Sequence, residues 1–79
     1  MIMKNDDYEL NEYILRQSQI NSRKLHIILF DKTWRNGYVE SCDESTFIFI
    51  DDVYGKLEPM SFLEVYKVKY YTSPSEVNK

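Results

Sequence analysis

The chain has 79 residues, with 10 Lys and Arg against 13 Asp and Glu and a net charge of −3. That length holds one domain, and a domain this small buries too little surface to be robust alone. One cysteine, Cys42, and one histidine, His26, exclude an intrachain disulfide and a zinc-finger ligand set. Subunit assembly is the remaining supplement, and neither metal nor cofactor is expected. Hydrophobic residues at 43% are too many for a disordered chain. No run approaches the roughly 18 apolar residues of a membrane span. The acidic opening from Met1 to Leu10 does not read as a secretory leader. A cytoplasmic protein is therefore expected.

Residues 1–5 are expected to be flexible. Asp6, Asp7 and Glu9 crowd a first helical turn, where carboxylates favour the helix dipole, and Asn5 or Asp6 suits the N-cap. Leu10, Tyr13 and Ile14 follow helical spacing and Asn21-Ser22 suits a stop, so the spacing predicts a helix over about residues 6–19. Leu25 to Phe30 then reads as a first strand, β-branched and aromatic, and Asp31-Lys32 as a turn. Trp34 to Cys42 reads as a longer second strand. Gly37 inside it marks a bend or a close backbone approach. Asp43-Glu44-Ser45 is a polar turn, and Thr46 to Ile50 a third strand. In the hairpin loop Asp51 to Gly55, Gly55 supplies positive φ. Lys56 to Met60 is a short fourth strand that Pro59 confines to an edge or a strand end. Leu63 to Tyr71 is the fifth strand, and residues 72–79 form a flexible tail.

One helix followed by five strands in about 50 residues leaves only short connections, which force antiparallel neighbours. A mainly β fold follows, a strongly bent five-stranded sheet curled into a small barrel over residues 6–71. SH3-like and OB-type barrels both fit the strand count. The early helix favours the first, because an OB helix usually falls where this chain has only Asp51 to Gly55. The first strand carries Leu25, Ile27 and Leu29 on one face and Ile28 and Phe30 on the other. The third carries Phe47 and Phe49 against Ile48 and Ile50. A half-exposed strand alternates apolar and polar residues, and these two do not, so the second face calls for a covering subunit.

The stretch Gly37-Tyr-Val39-Glu-Ser-Cys-Asp43, set in that order of elements, resembles the first motif of the Sm-like superfamily (Sm, LSm and Hfq proteins). That motif has a Gly, an aliphatic residue two positions on and an Asp six after the Gly. The run from Gly37 to Ile48 is most similar to the Hfq version, where Ile-Glu-Ser-Phe-Asp occupies the same place. The resemblance implies an N-terminal helix on a bent five-stranded sheet, a homo-oligomeric ring of about five to seven subunits and single-stranded RNA as ligand. It places RNA-binding candidates at Asp43, Glu44, Ser45 and Phe47, and at Met60 and Ser61 where the second motif would fall. The chain departs from the family at these places. Ser45 replaces a stacking residue and Phe47 a uracil-reading Asn. Glu44 stands where Hfq has Gln, and Met60-Ser61 lacks the second motif's cation. Weak RNA binding without uridine preference is the expectation, and a protein-interaction ring or SH3-like adaptor without RNA the alternative.

The fourth and fifth strands are the two edges that strand addition can join between subunits. Tyr66, Val68 and Tyr70, with Ile48 and Ile50 on the outer face of the third strand, are the interface candidates. Lys67 and Lys69 alternate on one face of the fifth strand, with Arg23-Lys24 near it, and suit either a basic patch or edge protection. His26 reads as structural, Cys42 as a small buried hydrophobe, and Asp51-Asp52 as solvated turn residues. No nucleophile–base pair, metal cluster or phosphate loop is present. Neither enzymatic activity nor a small-molecule substrate is expected.

Overall fold

The computed structural model describes residues 7–71; the expected N-cap at Asn5 or Asp6 and the expectations for residues 1–5 and 72–79 lie outside them. The order is α1 (Tyr8–Asn21), β1 (Leu25–Leu29), β2 (Trp34–Cys42), β3 (Thr46–Asp51), β4 (Leu57–Ser61), the 3₁₀ turn η1 (Phe62–Glu64) and β5 (Val65–Tyr70). The expected elements are all present, with ends moved by one or two residues. Asp7 precedes α1 without a side-chain cap, and Ser22 ends it in the left-handed region at φ 54°. Gly55 takes φ 67° in the β3–β4 turn, as that tight reversal requires.

The five strands form one antiparallel sheet in the order β4-β3-β2-β1-β5. It does not close, because β4 and β5 are its two edges. Yet those edges are joined by η1 alone. Five flat strands would set them about 19 Å apart, whereas three residues of 3₁₀ helix rise only about 6 Å. The sheet must therefore curl strongly at that end. Three devices help it bend. The β2–β3 register slips between Val39 and Ser41, and the β1–β5 register slips between Ile28 and Leu29; such bulges sharpen local twist. Gly37 is the third device. A Cβ at this position would lie 1.9 Å from the Ile50 carbonyl oxygen, so β2 and β3 approach there only because glycine has none.

The core is Leu15, Leu25, Ile27, Leu29, Val39, Phe47, Phe49, Met60, Phe62, Val65 and Val68. The face of β1 that carries Leu25, Ile27 and Leu29 and the face of β3 that carries Phe47 and Phe49 are the inner ones. Beyond η1, Val65 is buried, whereas Leu63 within it is exposed.

The helix packs on β2, β5 and η1, but not on the face that its apolar residues suggest. Leu10 and Tyr13 are 56% and 61% exposed, Ile14 is only partly buried, and the buried stripe is Asn11, Leu15 and Ser18. The cause lies on β5. Its register slip leaves Tyr66 as an extra residue, and the buried Asn11 amide donates to the Tyr66 carbonyl at 3.1 Å. A polar side chain is thus drawn inward to pair a backbone group that the ladder leaves over.

Candidate nucleic-acid interface

The turn between β2 and β3 gathers three of the residues that the family resemblance singles out. Asp43, Glu44 and Ser45 are all exposed. The Asp43 carboxylate accepts from the Glu44 N–H at 2.8 Å, and the Asp43 N–H donates to the Thr46 carbonyl at 2.8 Å. A residue outside the motif holds this turn from above. The Arg16 guanidinium, on α1, donates to the carbonyls of Asp43 and Glu44 at 2.9 and 3.0 Å and pairs with Glu12. It also lies 4.7 Å from the centre of the Phe62 ring. The sequence carries no signal for this clamp, because it depends on how the helix crosses the sheet.

The other candidates do not join that turn as open surface. Phe47 is 1% exposed and packs against Phe62 at 5.1 Å, and Met60 is 3% exposed. Both rings and thioether are core, with no face offered to a base. Ser61 caps η1, accepting from the Leu63 N–H at 3.1 Å, while the Glu64 carboxylate accepts from the Ser61 N–H at 2.9 Å.

The interface candidates divide as well. Ile48 and Ile50 are half-buried on the outer side of β3, and Tyr66 and Tyr70 are 49% and 43% exposed. Val68 belongs to the core at 5% exposure. The bulge at Tyr66 sets Val65 and Val68 both inward, against the simple alternation read from the sequence.

Backbone hydrogen bonding at the edges follows from two anchors. The Tyr71 N–H donates to the Lys24 carbonyl at 3.0 Å. In an antiparallel ladder alternate residues face the partner, so the N–H groups of Val68 and Tyr70 point away from β1. On the other edge the Asp51 N–H donates to the Lys56 carbonyl at 3.0 Å, which turns Leu57, Pro59 and Ser61 outward. Proline has no N–H, and that of Ser61 is held by Glu64. The free edge of β4 therefore offers mainly carbonyls, whereas that of β5 keeps donors as well as acceptors.

Several other polar groups find partners nearby, although the buried Ser18 hydroxyl has none. His26 Nδ1 lies 2.6 Å from the Asn36 side-chain oxygen, and its ring lies 5.6 Å from that of Trp34. Asp51 accepts from the Tyr54 N–H at 2.7 Å, and Asp52 pairs with Lys24 at 2.6 Å. An open groove beside them, about 450 Å³, is lined by Arg35, Tyr54, Lys56 and Glu58. Its only guanidinium, from Arg35, is paired with Glu58 at 2.9 Å. Burial pushes the Cys42 thiol above its ordinary range, which disfavours the reactive thiolate. Among the described residues no helix is long and apolar enough to cross a membrane.

No protein-family model matches the chain, and no curated protein matches it.

Proposed function

We propose that the chain is an Sm-like variant of the SH3-type small barrel that assembles into a homo-oligomeric ring and binds single-stranded RNA weakly, without uridine selectivity. The observation that carries this reading is the strand order β4-β3-β2-β1-β5, with a donor-poor edge and an edge that keeps its donors at opposite ends of one curled sheet. Such edges differ, so their contact is head-to-tail and must close or grow. The weak RNA term rests on the β2–β3 turn. It exposes backbone and two carboxylates where the family presents a stacking side chain, and Phe47 and Met60 are buried. Native mass spectrometry at micromolar concentration tests the ring: a closed oligomer is expected, and a monomer alone overturns it. Titration with oligo(U) and oligo(A) tests the ligand. Comparable weak binding, falling steeply with salt, is expected; tight uridine-specific binding at physiological salt contradicts it.

A protein-interaction ring or SH3-like adaptor without RNA is the second reading. The net charge of −3 favours it, since a chain that grips phosphates ordinarily carries the opposite balance. A pull-down that recovers protein and no RNA, with no oligonucleotide binding at low salt, would select it.

A further inference from the structure

The outward side of α1 carries a second stripe. Leu10, Tyr13, Gln17 and Ile20 recur at steps of three, four and three residues, the spacing of a two-helix seam. At about 100° per residue this stripe lies roughly opposite Asn11, Leu15 and Ser18, the buried side. Leu10, Tyr13 and Ile20 are 56%, 61% and 68% exposed, and Gln17 is half-buried. Single exposed apolar side chains are ordinary, but three in seam register along one short helix are not scattered. The two ends of the helix also differ in charge. Asp7 and Glu9 stand at its start, and Arg23 and Lys24 follow its end. Glu9 and Arg23 are exposed and have no ion pair among the described residues. Arg23 has only the Tyr70 ring, 4.3 Å from its guanidinium to the ring centre. Between these ends Glu12 and Arg16 pair with each other.

We propose that this stripe docks on the same stripe of a second copy, with the two helices antiparallel about a two-fold axis. The inference rests neither on the ring nor on RNA binding. Self-complementarity names the occupant. In the antiparallel register centred midway between Tyr13 and Gln17, Leu10 meets Ile20 of the second copy and Tyr13 meets its Gln17. Both layers repeat across the axis, as an isologous contact requires. The two outer layers are apolar. In the two central ones a phenol faces an amide, a polar pairing that fixes register. Charge complementarity agrees with this order. Glu9 falls beside Arg23 of the second copy at both ends, and each positive helix N-terminus lies beside a negative C-terminus. A parallel pair would instead set Glu9 against Glu9 and Arg23 against Arg23. The 14 residues of α1 make a helix about 21 Å long and about 10 Å wide. That is less than the roughly 800 Å² per partner of a standard interface, so pairing at about tens of micromolar is expected.

Cross-linking reads the pairing and its register. Leu10→Cys and Ile20→Cys are made separately in a Cys42→Ala background, with circular dichroism confirming the fold, and are oxidised mildly alone and mixed at about 200 μM. The mixture should give a disulfide-linked dimer, and neither chain alone should. Two copies of Leu10, or of Ile20, lie about ten residues or roughly 15 Å apart along the pair, beyond the roughly 7 Å that a disulfide spans. Val53→Cys, exposed in the β3–β4 loop and outside the stripe, mixed with Leu10→Cys sets the background. Glu9→Arg should lower the yield about fivefold, and adding Arg23→Glu to the same chain should restore it. Without any new cysteine, Tyr13→Glu should lower the mean mass in sedimentation velocity towards half, whether the unit that pairs is one chain or a ring. A mixture that stays at background, or a Tyr13→Glu mass equal to the parent's, overturns the docking and leaves the ring and RNA readings standing. Strong cross-linking of Leu10→Cys alone shows parallel helices and overturns the register. A yield that Glu9→Arg leaves unchanged, or that Arg23→Glu fails to restore, overturns the charge pairing.

Discussion

Gly37 shows how a missing side chain sets the path of β2. The contact it permits is with backbone, the Ile50 carbonyl, and no rotamer change can relieve it. Gly37→Ala should therefore cost about 3 kcal/mol or more in urea unfolding; a loss below about 0.5 kcal/mol would mean that the strands can part there freely. Asn11 works in the opposite sense, since its side chain is present to satisfy a backbone group. Asn11→Ala should destabilise by about 1–3 kcal/mol, the cost of leaving the Tyr66 carbonyl without its donor. Cys42 adds a pH term. Burial raises its pKa above the ordinary 9.0, so the native state holds the thiol proton longer than the unfolded chain does. Its contribution is complete below about pH 9 and is lost as pH rises through the native value. The stability of the parent relative to Cys42→Ala should fall above about pH 9, measured by denaturant midpoints across that range.

At the scale of elements, the edges decide what can assemble. Pro59 removes one outward donor from β4, and Glu64 occupies that of Ser61, which are features that protect an edge from indiscriminate pairing. The Leu57 N–H is the one outward donor left on β4, so a strand docking there must bring donors of its own. Strand β5 brings two, from Val68 and Tyr70. A proline at Val68 would also empty a core position and confuse folding with assembly. Tyr70 is exposed and its N–H faces away from β1, so Tyr70→Pro removes a seam donor while sparing the β1 ladder. A folded variant that runs as a monomer in gel filtration is expected. One that keeps the parental size shows that β5 is not the seam.

At the scale of the whole molecule, one short link governs shape. Three residues of η1 bridge the two edges of a five-stranded sheet, and the curl that this demands brings Phe62 onto Phe47 and under Arg16. A small core sealed in this way leaves Leu57, Leu63, Phe30 and Tyr66 exposed, apolar surface that the proposed ring would cover. If the ring supplies part of the stability, mass action applies. The thermal midpoint should rise as protein concentration is raised from about 1 to about 100 μM, and a midpoint independent of concentration would show that each subunit stands alone.

The sequence by itself determined the elements, their order and much of the core. Strand runs, the glycine that needs positive φ, the glycine that needs room, and the inner faces of β1 and β3 are local patterns, readable within a few residues. The β2–β3 turn of the candidate site was legible in the same way, as was the alternation of Lys67 and Lys69. Tertiary structure decided the rest, because it depends on partners distant in the chain. The helix phase followed from a spare carbonyl 55 residues away, and the burial of Val68 from a bulge opposite Ile28 and Leu29. The Arg16 clamp followed from the crossing of helix and sheet, which no local pattern encodes.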